Sequence, residues 1–100
     1  MSTLVLNLKG EYFDAIRDGF KLEEFRLRTP YWEKRIKNKI YDSILIRKGY
    51  PKAGDADREI LLPWRGYREI SLEHPHFGVG LKNVYAIRVS EREPIDGQKI

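Results

Sequence analysis

The segment Gly19-Phe20-Lys21-Leu22-Glu23-Glu24-Phe25-Arg26 gathers an amine, two carboxylates and a guanidinium into one short stretch of chain. Leu22 to Arg28 reads as a β-strand, and its period of two places Glu24 and Arg26 on the same face. Lys21 stands in the turn just before that strand, where its side chain is free to lean over the same face. A lysine desolvated by aromatic walls beside a carboxylate can act as a base or a nucleophile. The carboxylate can shuttle a proton, and the arginine can orient a carbonyl or a phosphate. The competing reading is a solvated strand carrying an ordinary i, i+2 ion pair.

Other chemistry is sparse. The chain has no cysteine, which excludes a disulfide framework, a thiolate metal site and a cysteine nucleophile. It carries no GxGxxG, P-loop, GxSxG or HExxH pattern. His74 and His76 flank a proline in a loop and lack a third ligand, so they are expected to pack or face water, not to hold a metal. The large rings are more numerous than a small core requires: Tyr31, Trp32, Tyr50, Trp64 and Tyr67. Trp32 is assigned to the core. Trp64 and Tyr67, next to Arg65 and Arg68, make a candidate platform for a base and its phosphate, with core packing an equal alternative for Trp64. Tyr31 joins the candidate binding residues.

These side chains must be carried by short elements. Leu4, Leu6 and Leu8 share one face of an N-terminal strand. Glu11 to Asp18 reads as a helix with Tyr12, Ala15 and Ile16 in one stripe and Phe13 beside it, closed by Gly19. Thr29-Pro30 is a helix start, Thr as N-cap and Pro at the first helical position, leading into Tyr31 to Lys37. Tyr41 to Arg47 reads as a strand covered on both sides. Gly49 to Arg58 reads as a mobile loop. Glu59 to Leu62 and Gly66 to Leu72 read as strands around a bend at Pro63, and His74 to Gly80 as a loop. Val84 to Val89 reads as a last strand with one better-buried face. Glu91 to Ile100 reads as a frayed polar tail.

Six strands and two helices without a βαβ rhythm predict an α+β domain, a mixed sheet curling into a small barrel with helices at its rim. A chain of 100 residues makes one domain, placed here at residues 1–90 with a tail at 91–100. It is 41% hydrophobic and 34% charged, too apolar for a disordered chain. No purely aliphatic run exceeds three residues, so no membrane span or secretory core is expected and the cytosol is the expected compartment. The net charge of +4 is compatible with a polyanionic partner without requiring one. The basic residues over positions 34 to 52 are spread as on a solvated face.

Gly19-x-Lys21-x-x-Glu24-x-Arg26 matches in full the GxKxxExR signature of the ASCH family, small domains with a PUA-like β-barrel. The resemblance runs over residues 3 to 90 in size and element order. The Thr29-Pro30-Tyr31-Trp32 and Trp64-Arg65-Gly66-Tyr67 stretches also look like those of short bacterial and phage members. The resemblance implies a cleft at the barrel mouth lined by the signature residues, with a nucleoside or nucleic-acid ligand. Some members hydrolyse the N4-acyl amide of modified cytosine nucleosides with a lysine, a threonine nucleophile and an acid; others are linked to RNA binding or cleavage. The lysine carries over onto Lys21. The threonine does not, because Glu24 stands there. The expectation is therefore an amidohydrolase in which Lys21 or Glu24 activates water, and Arg26, Tyr31, Trp64 and Tyr67 bind the substrate. No cofactor is expected, and the chain is expected to be a monomer or weak dimer. An RNA-binding module, with or without ribonuclease activity, is the alternative. Interspersed acids such as Glu69 and Glu73 favour the small substrate over a polymer.

Overall fold

A computed structural model describes residues 2–49 and 56–91. The leucine alternation at the N-terminus does form a strand, β1 (Thr3–Leu8), with Leu4, Leu6 and Leu8 buried. It pairs in parallel with β3 (Ser43–Lys48), setting Leu4 against Ile44 and Leu6 against Ile46. On its other edge β3 runs antiparallel to β4 (Glu59–Pro63), so Ile60 and Leu62 extend the same apolar face. Only one face of β3 is covered; Leu45, on the other, is half-buried, contrary to expectation.

The second sheet holds β2 (Glu23–Leu27), β6 (Lys82–Arg88) and β5 (Tyr67–Leu72), with β6 in the middle and both pairings antiparallel. Here the expectation of one better-buried face fails in the opposite sense. Val84, Tyr85, Ala86 and Ile87 are all fully buried. Tyr85 and Ile87 join the main core, while Val84 and Ala86 pack with Phe25, Leu27, Ile70, Leu72 and Phe77 on the far side.

The six strands and two helices stand as expected, but the strands do not join into one continuous sheet. They form two three-stranded sheets, β1-β3-β4 and β2-β6-β5, and no ladder among the described residues closes a barrel. What unites them is a shared core: leucines of β1, isoleucines of β3, Tyr85, Ile87 and Val89, and Phe13, Ile16 and Ile36 from the helices. The strands β1 and β2 are thereby left as unpaired edges of different sheets.

Helix α1 (Gly10–Arg17) buries Phe13 and Ile16. Helix α2 (Pro30–Ile36) starts as its sequence dictates, with the Thr29 hydroxyl accepting the Trp32 N–H at 3.4 Å and Pro30 in the first turn. It buries Ile36. Residues 50–55 of the expected mobile loop lie outside the described residues, and Ala56–Arg58 is a 3₁₀ turn leading into β4. The expected tail falls outside them too, apart from Glu91. No described helix is long and apolar enough to cross a membrane.

Candidate active site

A cavity of about 520 Å³ opens where the edges of β1 and β2 fail to pair. Asn7, Leu8 and Lys9 line one side of it, and Glu24 to Leu27 line the other. The signature segment reaches this seam through the end of α1. Gly19, at φ 85°, takes the left-handed position that an L-residue enters only with strain. The N–H of Gly19 binds the Ile16 carbonyl and that of Phe20 the Ala15 carbonyl, a Schellman closure. The Lys21 N–H also reaches the Ala15 carbonyl, at 3.1 Å. The chain is thus turned back sharply, and Lys21 enters the cavity wall instead of solvent.

Lys21 is 3% exposed and Glu24 4% exposed, with Nζ 3.3 Å from Glu24 Oε1. The ammonium lies over two rings, 4.6 Å from the centroid of Phe25 and 5.4 Å from that of Tyr12. Burial pushes the Lys21 amine below the usual lysine range; Glu24, its hydrogen bond and the more distant Glu23 oppose that shift, and Arg26 adds to it. Desolvation wins. The Glu24 carboxylate is shared, since its other oxygen takes a hydrogen bond from Arg26 Nη1. Arg26 also donates to the Phe25 carbonyl at 3.1 Å, and through Nη2 to the Asn7 carbonyl at 3.1 Å. Its guanidinium stands 5.1 Å from the centroid of Trp32. Arg26 therefore holds Glu24 in place and ties the two sheet edges together. The solvated ion pair considered as the competing reading is not what forms.

The expected binding residues separate. Arg26 lines the cavity; Tyr31, Trp64 and Tyr67 do not. Trp64 packs edge-on against Tyr41 and joins the main core. Tyr67 packs against Tyr85, and its hydroxyl accepts the Asn38 N–H at 2.9 Å. The Trp64–Tyr67 pair thus stands apart from this cavity, both rings half-buried against the main core. Tyr31 is 55% exposed, beside the cavity on α2. Trp32, assigned to the core by its i, i+4 spacing with Ile36, does pack half-buried against the main core, and it also lines the cavity, since the N-terminal turn of α2 overhangs the seam.

Sequence reasoning passed over Tyr12, His74, His76 and Phe77, all of which line the cavity. Tyr12 sat in an apolar helical stripe, where its hydroxyl was the one sign of a wet neighbour. His76 lies in a 3₁₀ turn, Pro75–Phe77, that His74 caps, and the two rings stack edge-on around Tyr12, with His74 and His76 centroids 6.0 and 5.5 Å away. His74 is pushed below the usual histidine range, by burial first and then by Lys21 and His76, with Glu24 and Glu11 opposing. No group of three or more metal-ligating side chains occurs among the described residues.

The arrangement offers a buried amine–carboxylate pair, aromatic walls and a cavity within the roughly 300–1,000 Å³ range of small-molecule sites. No family model, no curated protein and no solved structure matches the chain.

Proposed function

We propose that this protein is an amidohydrolase that removes the acyl group from N4-acylated cytosine or cytidine. The observation that carries the reading is the Lys21–Glu24 pair, buried at 3.3 Å in an aromatic-walled cavity. Two charged groups are costly to hide from water, and this chain does so on the wall of a cavity that a small ligand can enter. The signature resemblance supplies the substrate class.

In this mechanism the uncharged Lys21 amine takes a proton from water as its oxygen attacks the acyl carbon. The C=O π pair moves onto oxygen, giving a tetrahedral oxyanion. When the oxyanion collapses, the C–N4 bond breaks and the Lys21 ammonium returns the proton to N4. Cytidine and the carboxylic acid leave. Glu24 keeps the amine aimed and steadies the transient ammonium, and Arg26 keeps Glu24 aimed. The step uses water and the chain's own groups, with no cofactor. The two sheets are read as halves of a PUA-like barrel opened along the β1–β2 seam, working as a monomer or weak dimer in the cytosol.

A second reading, an RNA-binding module with or without nuclease activity, draws on one observation. The Arg35 guanidinium stacks 3.6 Å from the centroid of the exposed Tyr31 ring, next to Trp32 at the cavity. Such a stack is a surface on which a neighbouring base can lie. The test is to incubate the protein with N4-acetylcytidine and, separately, with a short RNA. Release of cytidine, lost in Lys21→Arg, supports the amidohydrolase. Intact N4-acetylcytidine with cleaved or tightly held RNA moves the assignment to the second reading.

A further inference from the structure

Lys21, Glu24 and Arg26 leave one requirement of amide hydrolysis unmet. A base cannot also be the proton donor to the oxyanion in the same step, and Arg26 is already committed to Glu24, Phe25 and Asn7. His74 is placed to meet it. Its ring lines the cavity and packs on Tyr12, the same ring over which the Lys21 ammonium lies. Its Nδ1 accepts the backbone N–H of His76 at 3.1 Å, within its own turn. A neutral imidazole that accepts at one nitrogen carries its proton on the other. The accepting nitrogen is engaged within its own turn, so Nε2–H is the donor that this cavity-lining ring has to offer a ligand.

We propose that His74 is a fixed-tautomer hydrogen-bond donor of this site, presenting Nε2–H to an acceptor oxygen of the ligand. It acts neither as a general base nor as a metal ligand. Resting on the amidohydrolase reading, that oxygen is the acyl carbonyl, whose developing charge the donor stabilises. A phenolic or ammonium donor at the same wall would lack this fixed proton position. Its surroundings favour the neutral state: burial above all, then Lys21 and His76, disfavour the imidazolium, against the weaker pull of Glu24 and Glu11.

Two measurements test this, and the first needs no ligand. In His76→Gln protein, which keeps the donating backbone N–H, His74 is the sole histidine. Long-range ¹H–¹⁵N NMR at pH 7 should show it neutral and protonated on Nε2. A proton on Nδ1, or an imidazolium, overturns the proposal whatever the protein hydrolyses. The second compares His74→Ala with His74→Gln on N4-acetylcytidine, since the glutamine amide reaches about as far as Nε2. Alanine should lower kcat by about a hundredfold, as the loss of one oxyanion donor does, with KM little changed, and glutamine should recover most of it. Equal loss in both variants, or none in alanine, also overturns it. Absence of turnover in the wild-type protein would remove the amidohydrolase reading and the acyl carbonyl as acceptor, while the NMR result would still decide the tautomer.

Discussion

A buried lysine that has lost its solvent is useful only while it can shed its proton. Because burial lowers the Lys21 pKa, the uncharged base is populated at a lower pH than in an exposed lysine. The rate, kcat/KM, should therefore rise with pH through a limb that lies below 10.5, the ordinary value. Lys21→Arg and Glu24→Gln should each lower hydrolysis by about a hundredfold or more, and the double variant by no more than the worse single one, because the pair acts as a unit. Arg26→Lys should cost less, unless its tie to the Asn7 carbonyl matters more than its grip on Glu24; the fold, checked by circular dichroism, separates these. The same group bears on stability. Its folded pKa is depressed, so the unfolded chain binds more protons between the folded and unfolded values, and stability should rise with pH across that window. Lys21→Met removes the buried cation while Glu24 keeps Arg26 as partner. Urea midpoints measured from pH 7 to 9.5 should climb in the wild-type protein relative to Lys21→Met. A steeper climb in the variant would mean that Lys21 is not charged and strained in the fold.

At the scale of elements, the site depends on how two helices stop and start. Gly19 closes α1 in a left-handed conformation, and the Schellman bonds of Gly19 and Phe20 deliver Lys21 to the seam. Gly19→Ala forces an L-residue into that position, at about 1–2 kcal/mol. The expected outcome is a loss of stability of that size, read from the urea midpoint, together with a fall in kcat as Lys21 is displaced. Full activity at reduced stability would detach the turn from the chemistry. The Thr29 cap works likewise on α2, whose first turn carries Trp32 to the cavity. Both devices were legible as sequence: glycine after a helical stripe, and threonine before proline. The strand carrying Glu24 and Arg26 was legible too, from its spacing. Which faces were covered was not, because alternation reports a face and not the element that will lie on it. β6 looked one-sided and is buried on both sides; β3 looked buried on both and is covered on one.

Across the whole molecule the decisive fact is an unmade pairing. Two three-stranded sheets share one core, and the cavity occupies the seam where β1 and β2 remain apart. A seam-sized cavity suits a nucleoside better than a polymer, and Lys9, Lys21 and Arg26 are the lysine and arginine side chains on its lining. RNA binding should accordingly be weak and collapse between low and moderate salt, since phosphate contacts would carry it. Filter binding that stays tight and sequence-specific at about 0.2 M salt would instead favour the RNA module. The sequence by itself determined the α+β class, the caps, and the grouping of Lys21, Glu24 and Arg26, because each is a matter of local spacing and backbone preference. Only the tertiary structure decided that Trp32 lines the cavity as well as packing on the core, that Trp64 and Tyr67 pack on the core away from the cavity, and that His74 and Lys21 meet the same Tyr12 ring. Those assignments depend on which sheet edges meet and which do not, and that is settled by the packing of residues far apart in the chain.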